Sequence, residues 1–330
     1  MTTTQSEAPV RLTTGQAAEF SKVFEAMATN IGRAVLGKQH VVRLALTCLV
    51  SGGHLLLEDV PGTGKTMLAR ALASTVDSTH ARIQFTPDLL PADVTGVTVY
   101  DQHQGSFTFH PGPIFHHLVL ADEINRASPK TQSALLEVME EGRVTVDGVT
   151  HAVPQPFMVI ATQNPIEQAG TYRLPEAQLD RFLMRTSLGY PDAENLDALL
   201  LDSSVRDRAA QLSPVVDAAA VSALRELSDR VHVDRAIAAY IRRIAEASRA
   251  IEEVKLGLSA RGALAFVRVA KTWAAAQGRA HVVPADVTAL AQPVLSHRLL
   301  LSAEALFSQV TIEGVIDSLM ASVPAPESRA

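Results

Sequence analysis

The stretch Leu55-Leu56-Leu57-Glu58-Asp59-Val60-Pro61-Gly62-Thr63-Gly64-Lys65-Thr66 concentrates residue types that handle phosphate. An apolar run enters a Gly-containing loop, and a helix is expected to begin near Lys65. Backbone N–H groups of such a loop point inward, and the helix N-terminus adds positive partial charge. Lys65 would reach the outer phosphates of a nucleotide, and the Thr66 hydroxyl would bind magnesium. Asp59, Val60, Pro61, Gly62, Thr63, Gly64, Lys65 and Thr66 are therefore the expected nucleotide contacts. One position departs from the common pattern, because Asp59 stands where the loop usually opens with Gly. Asp tolerates left-handed backbone better than most residues, so the loop is expected to form on that account.

A second element is Leu118-Val119-Leu120-Ala121-Asp122-Glu123, an apolar strand ending in two carboxylates. Asp122 would hold magnesium through its water shell, and Glu123 would polarise an attacking water as general base. Alone, such a strand reads equally well as an end meeting solvent; beside a phosphate loop it points to nucleotide hydrolysis. A third apolar run, Phe157 to Ala161, ends in Thr162-Gln163-Asn164-Pro165. Asn164 could hydrogen-bond the same water or the terminal phosphate, or simply form the turn before Pro165. Glu137, Glu140 and Glu141 read as a solvated helix face, with a subunit contact as the other reading. His110, His116 and His117 lack the companion ligands of a metal site.

These side chains need a sheet to bring them together. Short apolar runs at His54 to Leu57, Ala81 to Phe85, Leu118 to Ala121, Phe157 to Ala161 and Thr186 to Leu188 alternate with helical stretches, which predicts an α/β fold with a mostly parallel sheet covered on both faces. Two hairpins interrupt it, Val97 to Tyr100 with Ser106 to Phe109, and Val144 to Val146 with Thr150 to Ala152 around Asp147-Gly148. After Pro191 helical periodicity takes over, including Ala260 to Gln277 and Val287 to Leu300, so the second half is expected to be all-helical. The expected domains are residues 12–190 and 191–330.

Length and composition agree with two domains. The chain has 330 residues, 47% of them hydrophobic and 19% charged, against a prior of roughly 150 residues per domain. Its apolar runs fall short of the roughly 18 residues a membrane span requires, and its start lacks a secretory pattern, so the expected location is the cytoplasm. A single cysteine, Cys48, excludes an intramolecular disulfide. With 29 basic and 35 acidic residues the net charge is −6, which offers no global attraction to nucleic acid.

In this order the three elements resemble an AAA+ ATPase core, and more closely the MoxR family. The resemblance rests on Glu58 to Thr66, Phe85 to Gly96, Gly112-Pro113-Ile114-Phe115, Ala121 to Ala127, Ala161 to Pro165 and Leu174 to Phe182. It implies a P-loop NTPase (AAA+) sheet sandwiched by helices, followed by a helical lid, with ATP and Mg2+ as cofactors. It also implies that Arg181, in Asp180-Arg181-Phe182, is an arginine finger entering the neighbouring subunit's site, with Arg185 as its rival. Arg181 is expected at the start of a helix, poorly placed to reach its own phosphates. Arg261, in Ser259-Ala260-Arg261, resembles a second sensor, though a solvated helix-start arginine fits almost as well. Val35-Leu36-Gly37-Lys38 fits the stretch over adenine, and the two inserts at Pro87 to Gly96 and Arg143 to Pro154 face a ring's centre in that family. The implied function is a homo-oligomeric ring, a hexamer, hydrolysing ATP as a chaperone-like motor on a partner with a von Willebrand factor A domain. The alternative is a nucleic-acid-associated motor, disfavoured by the acidic balance and the lack of a basic extension. A binding-only switch would not need Glu123, Asn164 and Arg181, and no guanine-reading Asn-Lys-x-Asp stretch or kinase acceptor pocket is evident.

Overall fold

A computed structural model describes residues 11–60, 62–103, 105–164, 172–201 and 207–327. The described residues open with two helices outside the elements expected from patterning, α1 (Thr14–Gly32) and α2 (Gln39–Val50). Thr13 caps α1, its side chain accepting the Gln16 N–H while the Gln16 side chain returns to the Thr13 backbone. The α/β alternation follows: β1 (Leu55–Glu58), α3 (Lys65–Thr75), β2 (His80–Gln84), α4 (Pro91–Thr95), the hairpin β3 (Gly96–Asp101) and β4 (Ser106–Pro111), β5 (Leu118–Asp122), α5 (Pro129–Glu141), the hairpin β6 (Arg143–Val146) and β7 (Val149–Ala152), β8 (Met158–Gln163), α6 (Glu176–Leu179) and β9 (Met184–Thr186).

Five strands form one sheet in the order β2-β5-β8-β1-β9, and every neighbouring pair is parallel. The central strands are buried on both faces, which is why they read as unbroken apolar runs. Alternate residues feed opposite cores, as the strand period of two requires. Leu55, Leu57, Leu118, Leu120, Met158 and Ile160 face one cluster; Leu56, Val119, Ala121, Val159 and Ala161 face the other.

Beyond residue 192 lie α7 (Ala193–Leu201), α8 (Ala218–Asp229), α9 (Arg235–Ala250), β10 (Val254–Leu256), α10 (Ala260–Ala276), α11 (Pro284–Leu295), β11 (Leu300–Leu301), α12 (Ala303–Phe307) and α13 (Ile312–Ser322). Among its described residues this half is mainly helical, with a small antiparallel ribbon of β10 and β11 and a single bridge between His232 and His281. The helix expected from Val287 to Leu300 stops at Leu295 instead. There the chain turns to send His297 and Arg298 into the protein, where both bond the Phe182 carbonyl. Packing does not stop at residue 190. Phe20, Phe24 and Met27 of α1 share one hydrophobic cluster with Phe266, Val269 and Trp273 of α10. Among the described residues, no helix is long and apolar enough to cross a membrane.

His54, just before β1, is a buried polar link in this core. Its Nδ1 accepts the Val159 N–H at 3.0 Å, and its Nε2 donates to the Met139 carbonyl at 3.0 Å. Accepting at Nδ1 requires the neutral ring, and burial pushes its pKa down to about 4. An unfolded chain binds the proton below about pH 6.5. Stability that is complete above that value is therefore lost as the pH falls toward 4, by up to roughly 3 kcal/mol from this ring. Denaturation midpoints measured from pH 7 to 4 should fall steeply. His54→Gln should flatten part of that slope, with His297, which burial also holds neutral, contributing to the remainder.

Candidate active site

The strand order places the expected phosphate loop, Asn164 and the two carboxylates at one edge of the sheet. β8 lies between β1 and β5, with Glu58 level with Gln163 and Ala121 level with Ala161. The Asp59 N–H bonds the Gln163 carbonyl at 3.1 Å, tying the start of the loop to the end of β8. Gly62 (φ 86°) and Gly64 (φ 97°) take the left-handed backbone that glycine permits. A Cβ added to either would meet nothing within 4 Å, so the loop borders open space suited to phosphates. Gly64 caps α3, which begins at Lys65 and carries Thr66 in its first turn. Lys65 Nζ meanwhile bonds the carbonyls of Asp59 (3.1 Å) and Val60 (3.4 Å). Val60 and Thr63 are themselves linked, the Thr63 hydroxyl reaching the Val60 carbonyl at 3.3 Å. Pro61 lies outside the described residues, as does Pro165.

Asp59 earns its place differently from the sequence expectation. It is not among the left-handed residues. Its buried carboxylate accepts the N–H groups of Leu188 (2.7 Å) and Gly189 (2.8 Å) through Oδ2, and that of Val60 (3.0 Å) through Oδ1. The residue clamps the loop to the segment leaving β9, a task for a carboxylate rather than for a flexible backbone.

Asp122 and Glu123 are organised by one hydroxyl. Thr162 Oγ1 donates to Asp122 Oδ1 at 2.6 Å and accepts the Glu123 N–H at 2.9 Å. Glu123 has left-handed backbone, φ 56° and ψ 50°, a strained conformation for a non-glycine residue of the kind that clusters at functional sites. Its Oε2 accepts from Gln84 Nε2 (2.9 Å) and pairs with Arg126 Nε (3.0 Å), while Asp122 Oδ2 pairs with Arg82 at 2.6 Å. Thr162, Arg82 and Gln84 were not assigned roles from sequence. The available signal was a buried hydroxyl residue closing an apolar strand, and pairing across strands is what gives it meaning. The donors offered to a cation here, the Thr66 hydroxyl and the Asp122 carboxylate, are hard oxygens. They fit magnesium, which takes one or two protein oxygens and completes its shell with phosphates and water. Asn164 is buried at the end of β8.

Arg181 and Arg261 lie at the opposite edge. Arg181 does not start a helix; it follows α6 in the turn before β9. Two residues on, the Leu183 N–H bonds the His54 carbonyl, at the entry to β1 rather than its exit. At about 3.3 Å per residue, β1 sets Arg181 on the order of 13 Å from the loop, more than one side chain spans. Arg181 pairs with Glu140 Oε2 at 3.0 Å, and Arg261 pairs with Glu140 Oε1 at 3.1 Å. Glu140 is therefore ion-paired rather than the plain solvated side chain expected from sequence. Asp180 accepts from buried Arg298 Nε (2.7 Å) and from the Ser259 hydroxyl (3.2 Å), which also caps α10. Arg185 is engaged elsewhere, with Glu58 (3.3 Å) and Glu313 (3.6 Å).

Family comparison agrees with this architecture. Residues 54–184 match the ATPase family associated with various cellular activities (AAA), and residues 246–319 match the AAA lid domain. The chain is thus built as an AAA+ ATPase core with its lid. It is 47% identical to the uncharacterized protein YeaC of Bacillus subtilis (strain 168), over 91% of this chain and 94% of that protein. It is 38% identical to Chaperone MoxR1 of Mycobacterium tuberculosis, over 98% of this chain and 88% of that one. A crystal structure from Cytophaga hutchinsonii ATCC 33406, whose assignment as an ATPase is itself provisional, superposes with a TM-score of 0.88 at 36% identity, covering 95% of this chain and 98% of that one. The chain belongs to the MoxR family of AAA+ ATPases.

Proposed function

We propose that this protein is a magnesium-dependent ATPase that assembles into a six-membered ring in the cytoplasm and uses hydrolysis to remodel a partner protein. The observation that carries the reading is the shared sheet edge, where the open glycine loop, Lys65, Asn164, Asp122 and Glu123 converge. Residues 12–190 serve as the ATP-binding core and residues 191–330 as the lid.

Backbone N–H groups of Gly62, Thr63 and Gly64 together with Lys65 Nζ bind the phosphates, Lys65 leaving the carbonyls of Asp59 and Val60 to do so. Thr66 and Asp122 would hold magnesium, whose charge would offset that of the phosphates. Glu123 takes the proton of the attacking water on a carboxylate oxygen, and Asn164 orients that water or the terminal phosphate. Arg181 and Arg261 sit on the edge away from their own loop and act on the neighbouring subunit's nucleotide, stabilising negative charge as it develops. The name Chaperone MoxR1 borne by one relative supports a chaperone-like role. A partner with a von Willebrand factor A domain is the client that the family resemblance suggests. The hairpin of β3 and β4 exposes Val97 and Val99 on one face and Tyr100 with its cross-strand partner Phe107 on the other, apolar residues fit for such contacts.

The test of nucleotide binding is Lys65→Ala. Removing a charged hydrogen-bond donor from phosphate should weaken ATP binding at least about tenfold in calorimetry. Undiminished affinity would sink the assignment of the loop.

A further inference from the structure

We infer that Glu140 is the positioning residue that holds Arg181 and Arg261 together as one unit for delivery into the neighbouring subunit's site. The inference rests on the reading that these arginines act across an interface. Two guanidiniums, one from the turn before β9 and one from α10, meet the two oxygens of a single carboxylate at 3.0 and 3.1 Å. Without it, like charges at this spacing repel and the long side chains diverge. The backbones behind them are already joined, because Asp180, next to Arg181, bonds Ser259, the cap of the helix that carries Arg261. Asp180 is in turn locked by buried Arg298, which also bonds the carbonyls of Phe182 and Leu183. Glu140 supplies what that framework lacks, a common direction for the two charged ends.

Glu140 is itself firmly placed. It lies in the last turn of α5, where the preceding carbonyl, that of Met139, is held by His54. At its other end α5 is fastened by Gln132, whose Nε2 bonds the carbonyls of Ile124, Ala127 and Tyr172 just beyond the hydrolytic carboxylates. The side chains of Glu140, Arg181 and Arg261 are 36%, 26% and 52% exposed. Ion pairs in such positions add little to stability, so the role that remains is orientation, and Glu140→Gln should fold normally.

The experiment assigns the defect to one side of the interface. Arg181→Ala chains, which keep an intact phosphate loop, are mixed in Mg-ATP with Lys65→Ala chains, which keep an intact finger, and the restored hydrolysis is measured. Lys65→Ala chains also carrying Glu140→Gln should restore at least tenfold less. Arg181→Ala chains carrying Glu140→Gln should be rescued by Lys65→Ala as well as Arg181→Ala alone, with unchanged KM for ATP. Circular-dichroism melting should show Glu140→Gln unaltered. Equal restoration by both donors, or a loss confined to the acceptor side, would overturn the positioning role while leaving trans action intact. Failure of Lys65→Ala to rescue Arg181→Ala at all would overturn the trans reading, and the inference with it.

Discussion

Glu123→Gln should bind Mg-ATP as the unsubstituted protein does and hydrolyse it at least about a hundredfold more slowly. The amide keeps the size and the hydrogen bond to Gln84 but cannot take a proton, and losing a general base costs about 10² to 10⁴ in rate. The left-handed backbone of Glu123 is held by its N–H bond to Thr162, which the substitution leaves in place, so the strand end should not rearrange. Single-turnover hydrolysis alongside equilibrium ATP binding separates the two effects. Unchanged turnover would reduce Glu123 to a strand-end carboxylate paired with Arg126. The same variant, trapped in ATP, is the reagent for capturing the client by affinity.

The second large effect is expected at Arg181. Arg181→Ala should lower hydrolysis by about a thousandfold, the contribution typical of a finger supplied in trans, with ATP binding largely intact. The turn before β9 lies at the edge of the sheet remote from its own loop, so the rate per chain should rise with protein concentration as interfaces form. Mixing with Lys65→Ala chains should restore part of the activity. A protein strictly monomeric in ATP by light scattering, with specific activity independent of concentration, would defeat this. Arg181 would then be a surface partner of Glu140 alone. Arg185, paired with Glu58 and Glu313 as Arg181 is with Glu140, is the rival candidate.

Much of the site could be read from short contiguous segments, because the chemistry there is local. Gly64, Lys65 and Thr66 occupy one turn and the helix start that follows it, and Asp122 and Glu123 close an apolar strand. Nearest neighbours in the chain decide such features, as burial on both faces decides the apolar strands themselves. Tertiary structure alone decided the rest. Asp59 acts as a clamp because the N–H groups of Leu188 and Gly189 are folded onto it, and Thr162 orders the Asp122 carboxylate and the Glu123 backbone because β8 pairs with β5. α11 ends at Leu295 because Arg298 finds its partners in Asp180 and Phe182. Glu140 reads as one acid on a solvated face until α5, α10 and the turn before β9 bring Arg181 and Arg261 to its two oxygens. Ion pairs and hydrogen bonds between distant segments depend on how whole elements pack, and no local spacing in the chain encodes that distance.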